Sequence, residues 1–313
     1  MSTATSSSVR STFEPRDVAV LAALACMWGL SFLFIKVAVD VVSPLWIVAA
    51  RCVVGALVLH VILRIRGTRL PRGWRNWGDL AFLAAFGNAI PWGLMAWAAQ
   101  FLPSGLVSVV NALAPTSTML IAVVIGLERP ALRRFVGLGA ALAGTALAVS
   151  SNLGVDGTIA AGLAVAAATV AYGAGTVYAK MRVSGNHPPL AIATGQVSVA
   201  AVMSVGAALL TSPLPDPAEI TWTIGGSLVA LGVLGTGFAF LAFYVLIERV
   251  GATNSIMVTY LIPVVALLAG ALLLDEPLTL LVVGGTALTI GGIWLAQRER
   301  RPGPIEGLAE VPR

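Results

Sequence analysis

Charge is the scarcest property of this chain. Asp, Glu, Lys and Arg make up 11% of its 313 residues, while 58% are hydrophobic and the mean hydropathy is +0.92. A soluble domain carries roughly a quarter charged residues, so an ordinary soluble fold is excluded. The two cysteines, Cys26 and Cys52, both sit inside apolar runs, which reads as packing rather than a disulfide or a ligand pair. The two histidines, His60 and His187, lie far apart at loops or span ends with no H-E-x-x-H pattern, so no metal or other cofactor is expected. No G-x-x-x-x-G-K-[ST] phosphate loop occurs, leaving an ATP-driven pump in one chain unsupported. No serine–histidine or paired-aspartate arrangement stands within the apolar runs, so an enzymatic role is not expected. Carboxylates are missing from the middle of every run: Asp40, Asp79 and Glu248 fall at the ends. Proton- or sodium-coupled carriers often place one there.

Long apolar runs are what the chain has instead. Bounded by Pro, Gly and charges, they predict helices over 18–39, 44–63, 78–101, 104–127, 132–150, 158–180, 189–211, 224–247, 252–274 and 278–297. Runs of about 18 or more apolar residues read as membrane-spanning helices. The class expected is therefore an all-α polytopic membrane protein with ten transmembrane helices. Residues 1–17 are polar and Ser/Thr-rich, without the pattern of a cleaved signal, and read as a disordered cytoplasmic N-terminus. Residues 298–313 read as a basic cytoplasmic tail.

Cytoplasmic loops carry excess Lys and Arg, which orients the spans. With both termini inside, 17 of the 19 basic residues fall on the inner side, including Arg10, Arg16, Arg64, Arg129, Arg133, Arg134, Lys180, Arg249, Arg298, Arg300, Arg301 and Arg313. The other two, Lys36 and Arg51, fall inside spans. Outer connections hold acidic residues such as Asp156, Asp216, Asp275 and Glu276. The pI near 9.8 is thus a topology signal, and no nucleic-acid partner is expected.

The chain repeats itself. NALAPTSTMLIAVVIGLERP at 111–130 aligns with TYLIPVVALLAGALLLDEPL at 259–278, so Pro115 matches Pro263 and Glu128 matches Glu276 at an offset of 148. The same offset pairs Gly137 with Gly285 and Gly144 with Gly292. An offset of 144 pairs Trp28 with Tyr172 and Lys36 with Lys180, and one of 145 pairs Arg51 with Gln196. Two five-helix repeats follow, 18–152 and 153–297. Five is odd, so the second enters the membrane from the opposite side: ERPALRR after the fourth span is basic, and its counterpart DEPLTLL is not. Inverted repeats are a common plan of secondary transporters, with the substrate held near the midplane between the halves.

Pro115 and Pro263 fall within the fourth and ninth spans. Proline removes a backbone donor and bends a helix, so both predict kinks beside a polar central cavity.

These segments resemble the drug/metabolite transporter superfamily, in particular EamA-type exporters. The likeness rests on WGLSFLFIK at 28–36, the doubled proline segments, AYGAGTVYAK at 171–180 and the glycine-rich last span. It implies a bacterial inner-membrane permease, usually an exporter of amino acids or other small metabolites. Members often carry a Glu-Glu or Asp-Glu pair before the proline in both halves; here the first half has Leu127-Glu128-Arg129-Pro130.

Helical spacing puts Asn88 and Trp92 on one face of the third span, and the 148 offset carries them to Thr236 and Phe240, with Tyr244 one turn on. Trp28 with Phe32 and Tyr172 with Thr176 form matching i,i+4 pairs. With Asn111 on the fourth span and Tyr260 on the ninth, these are the expected cavity lining, suited to a small molecule with an apolar body and a polar handle. Trp46, Trp74, Trp77 and Trp294, near span ends, read as interfacial anchors. Arg51, seven residues past Pro44, is expected to face protein or water, binding an anionic group, pairing with a carboxylate such as Glu276, or snorkelling. Lys36 and Lys180 read as snorkelling. Glu128 and Glu276 precede the prolines of the fifth and tenth spans and read as caps of those helices. Gly137, Gly144, Gly284, Gly285, Gly291 and Gly292 let helices approach closely, between the repeats or across a dimer. The function expected is uncoupled alternating-access export by a monomer or homodimer embedded in the lipid bilayer, the halves rocking about the fourth and ninth spans. Efflux of toxic compounds, or a membrane enzyme or receptor, are the alternatives.

Overall fold

The computed structural model describes residues 14–297, apart from the side chains of residues 252 and 253. Of the expected tails, residues 1–13 and 298–313, with Arg10, Arg298, Arg300, Arg301 and Arg313, lie outside the described residues. Among the described residues ten apolar helices follow one another. They are α1 (Pro15–Val39), α2 (Pro44–Ile65), α3 (Trp74–Ala98), α4 (Ser104–Val124), α5 (Leu132–Ser150), α6 (Thr158–Val183), α7 (Pro189–Thr211), α8 (Trp222–Gly251), α9 (Val258–Leu273) and α10 (Leu280–Gln297). The chain is a multi-pass, all-α membrane protein. Helix α1 starts at Pro15, so residues 15–17, expected in the tail, are helical, and Asp17 is buried in an ion pair with Arg249 at the end of α8.

Packing follows the repeat. Helix α1 lies against α9 as α6 lies against α4; α8 lies against α1 and α2 as α3 lies against α6 and α7. Three pairs map onto themselves: α2 with α7, α4 with α9, and α5 with α10. Small residues set the close approaches, and they recur. Gly29 presses on Val265 of α9, and its counterpart Gly173 presses on Thr118 and Ile121 of α4. The tightest seam joins α5 to α10. A Cβ on Gly137 would lie 2.5 Å from the Ala296 nitrogen, and one on Gly144 would lie 2.5 Å from that of Thr289. From the other side, a Cβ on Gly285 would lie 2.5 Å from the Gly144 oxygen, and one on Gly292 would collide with Ala141. These four glycines therefore serve the contact between repeats. Gly284 and Gly291, grouped with them by sequence, have open space where a Cβ would stand.

The two prolines differ in outcome. Helix α4 stops at Asn111, turns at 112–113 and restarts at Ala114, so Pro115 opens a new helical segment, where its missing N–H costs nothing. Pro263 lies within the continuous helix α9, whose break falls earlier, at residues 256–257. One helical turn precedes that break and follows Gly251, whose φ of 84° and ψ of 162° end α8. The expected pair of equal kinks is therefore two breaks at unequal positions.

Among the described residues three helices contain a π-helical turn: Ala85–Ala89 in α3, Val233–Phe238 in α8 and Ala179–Val183 in α6. The first two begin at positions related by the same 148-residue offset. A π-turn inserts a residue into the ladder and disturbs the local pairing of carbonyls, and such turns are frequent at functional sites.

Candidate functional site

Asn88 and Thr236 occupy equivalent places in the π-turns of α3 and α8, and both are fully buried. Each accepts a hydrogen bond from the other repeat. Arg51 of α2 donates through Nε to Thr236 Oγ1 at 3.0 Å and through Nη2 to the Gly235 carbonyl at 3.0 Å. Gln196 of α7, the counterpart of Arg51, donates through Nε2 to Asn88 Oδ1 at 3.0 Å. The two contacts are one design used twice, with a cation in one copy and an amide in the other.

Around Arg51 the site is aromatic and cationic. Its Cζ lies 3.8 Å from the centre of the Trp92 ring, a cation–π contact strengthened by exclusion of water. Tyr172 is close to both Arg51 and Trp92. Trp28, the counterpart of Tyr172, packs on Phe243 with ring centres 5.3 Å apart. Arg51 is 5% exposed, so it neither snorkels nor reaches Glu276, and among the described residues no carboxylate forms an ion pair with it.

The expected cavity lining divides into buried and half-buried side chains. Asn88 is 0% exposed, and Trp92, Phe32 and Arg51 are buried with it. Small cavities also open nearer the ends, one of about 10 Å³ beside Asp79, Arg182 and His187 and one of about 30 Å³ beside Pro103, Leu267 and Glu276. Trp28, Asn111, Tyr172, Phe240 and Tyr244 are half-buried, whereas Thr176 is exposed. Phe240 and Tyr244 pack toward Leu59 and Val197, between α2 and α7. Tyr260 does not point a free hydroxyl into the centre; it bonds to Gln297 at the end of α10. Asn88 Nδ2 and Asn111 Oδ1 are buried with no hydrogen-bond partner among the described residues.

The ends of the bundle are unlike. At the outer end Ser104–Val110 are all buried, while further in on α4 Pro115, Ser117, Thr118 and Met119 are half-buried and Leu120 is exposed. At this end Glu276 makes a contact that its sequence neighbourhood does not announce. Its carboxylate accepts from Ser104 N–H at 2.6 Å, Ser104 Oγ at 2.9 Å and Gly105 N–H at 3.2 Å. It caps α4, whose first residue Ser104 is 172 residues away in the chain, rather than its own α10, which begins four residues later at Leu280. A carboxylate at a helix N-terminus meets unpaired N–H groups and the positive end of the dipole. Glu128 sits in the same local turn, its N–H bonded to Ala122 O at 3.1 Å as that of Glu276 is to Gly270 O at 3.1 Å. Its carboxylate instead pairs with Arg134 at 2.8 Å, in the first turn of α5. Lys36, expected to snorkel, donates to the Ala99 carbonyl at 2.7 Å at the end of α3, also on the outer side. Lys180 is exposed.

The profile of the EamA-like transporter family matches residues 17–150 and again 159–297. The chain belongs to the EamA-like transporter family. The tandem match covers both repeats, and three further likenesses extend it. An "Uncharacterized transporter" of Archaeoglobus fulgidus is 30% identical over 90% of this chain and 98% of its own length. A "Probable terminal-alkyne amino-acid exporter" of Streptantibioticus cattleyicolor is 29% identical over 87% and 90%. A solved crystal structure superposes with a TM-score of 0.66 at 20% identity, covering 91% of this chain and 97% of the other, which shows a shared fold.

Proposed function

We propose that this EamA-like protein is a secondary transporter of the bacterial inner membrane. It exports small metabolites, amino acids or related compounds first, by alternating access between its two repeats. The observation that carries this reading is the pair of inter-repeat bonds, Arg51 to Thr236 and Gln196 to Asn88. They join the halves at the level of the π-turns, while the outer end is packed shut and the inner end of α4 is looser. A carrier caught with its outer side closed has this form, and an exchange of roles between equivalent elements generates the opposite state. Trp28, Phe32, Trp92, Asn111, Tyr172, Thr176, Phe240, Tyr244 and Tyr260 would line the path as it opens. Pro115 and Pro263 would mark the segments that move. The partners in this reading are the substrate and the lipid bilayer; the use of the α5 and α10 glycines within one chain favours a monomeric unit.

The test is counterflow in proteoliposomes across amino acids and nucleobases. Accumulation above empty liposomes for at least one metabolite is the expected result. No flux for any of them would return the field to the enzyme or receptor alternative. Efflux of toxic cations is disfavoured by the buried positive charge at Arg51.

A further inference from the structure

Resting on the transporter reading, the geometry points to a substrate carboxylate as the group recognised, with Arg51 as its receptor. A guanidinium has five N–H donors. The edge made by Nε and Nη2 is used on Thr236 and Gly235, and one face is covered by Trp92. The end edge, formed by Nη1 and the second hydrogen of Nη2, has no partner among the described residues. That edge is a planar fork matched to the two oxygens of a carboxylate.

Charge balance makes the same demand. A buried cation without a counter-ion is costly, and the carboxylates that could serve are committed elsewhere. Asp17 is bonded to Arg249, Asp79 accepts from the Tyr178 hydroxyl at 2.6 Å, and Glu276 caps α4. Among the described residues Arg51 is therefore a buried cation with no ion-pair partner. The neighbouring unpartnered group of α3 is again a donor, Asn88 Nδ2, fully buried and one helical turn from Trp92. Donors with no facing carboxylate select an anion. The aromatic rings of Trp28, Phe243 and Tyr172 supply the apolar surface against which the body of an amphiphilic acid would rest.

Binding is measured on the purified full-length protein as thermal stabilisation. The panel is leucine and phenylalanine, their methyl esters, the matching decarboxylated amines, and sodium chloride. The wild type is expected to bind at least one free acid at least tenfold more tightly than its ester and amine. Arg51→Gln abolishes that preference, and Arg51→Lys keeps part of it. Should Arg51→Gln fail to fold, the acid-against-ester comparison on the wild type decides alone. Equal affinity for acid and ester, equal stabilisation by chloride, or an Arg51→Gln profile matching the wild type across the panel each overturns the proposal. Arg51-dependent acid binding without flux in liposomes would remove the transporter reading and leave this one standing. Flux of esters and amines undiminished in Arg51→Gln would do the reverse.

Discussion

Gln196 holds Asn88 in the first repeat's π-turn as Arg51 holds Thr236 in the second's, so the same bond crosses between the halves in both directions. Thr236 has a double task, since its hydroxyl also donates to Leu231 O at 3.1 Å within α8. Thr236→Val removes both bonds and leaves Nε of Arg51 without an acceptor. A loss of roughly 1–2 kcal/mol is expected, read as a lower melting temperature in detergent. Thr236→Ser should restore most of it.

Glu276→Ala leaves the first N–H groups of α4 without their anionic acceptor, while Glu276→Gln keeps an acceptor and loses the charge. The cap is worth roughly 1.5–3 kcal/mol as hydrogen bonds to a charged group. In a background without Cys26 and Cys52, a cysteine at Ser108 should react slowly with an impermeant thiol reagent added outside. Adding Glu276→Ala should speed that labelling several-fold, and Glu276→Gln should fall between. An unchanged rate would mean that Glu276 does not hold the outer end shut.

At the α5–α10 seam, Gly144→Val places side-chain atoms where α10 has backbone. The cost of such overpacking is roughly 1–3 kcal/mol or more, and a collapse of the monodisperse peak in size-exclusion chromatography is expected. Gly291→Val, on the same helix as Gly292 but in open space, should purify like the wild type. If Gly291→Val failed equally, its face of α10 would have a partner of its own.

Lys36→Met strips the Ala99 carbonyl of its donor at the C-terminal end of α3. A cation there also meets the negative end of the helix dipole. A destabilisation of roughly 1 kcal/mol is expected, with Lys36→Arg close to neutral. A Lys36→Met protein with an unshifted melting temperature would support the snorkelling reading instead.

Much of the architecture was legible because a bilayer leaves few choices. Apolar run length sets the spans, and the 148-residue offset locates the glycines of the α5–α10 seam and pairs Asn88 with Thr236. Helix ends were less legible. Pro115 opens a helical segment rather than bending one, because Asn111 and the turn at 112–113 already interrupt the ladder. Which helix each glutamate caps could not be read, since Glu276 and Ser104 are 172 residues apart and their contact is purely tertiary. Arg51 was recognised as a residue needing a partner, but not which one. Its acceptors, the Thr236 hydroxyl and the Gly235 carbonyl, belong to a π-turn, and nothing in residue type distinguishes that turn from ordinary α-helix. Gln196 and Thr236 were visible only as counterparts of more conspicuous residues; pairing those counterparts across the halves would have found both bonds.

The glycine seam between α5 and α10 touches backbone to backbone, with little there to repack beyond the hydroxyls of Thr145 and Thr289 at 3.2 Å. A contact with no rotamers has a single arrangement and cannot slide by small steps. On the alternating-access reading proposed above it is the stator: a pair of labels at Thr145 and Thr289 is expected to keep one distance through the cycle, while labels on the helices around Arg51 change theirs.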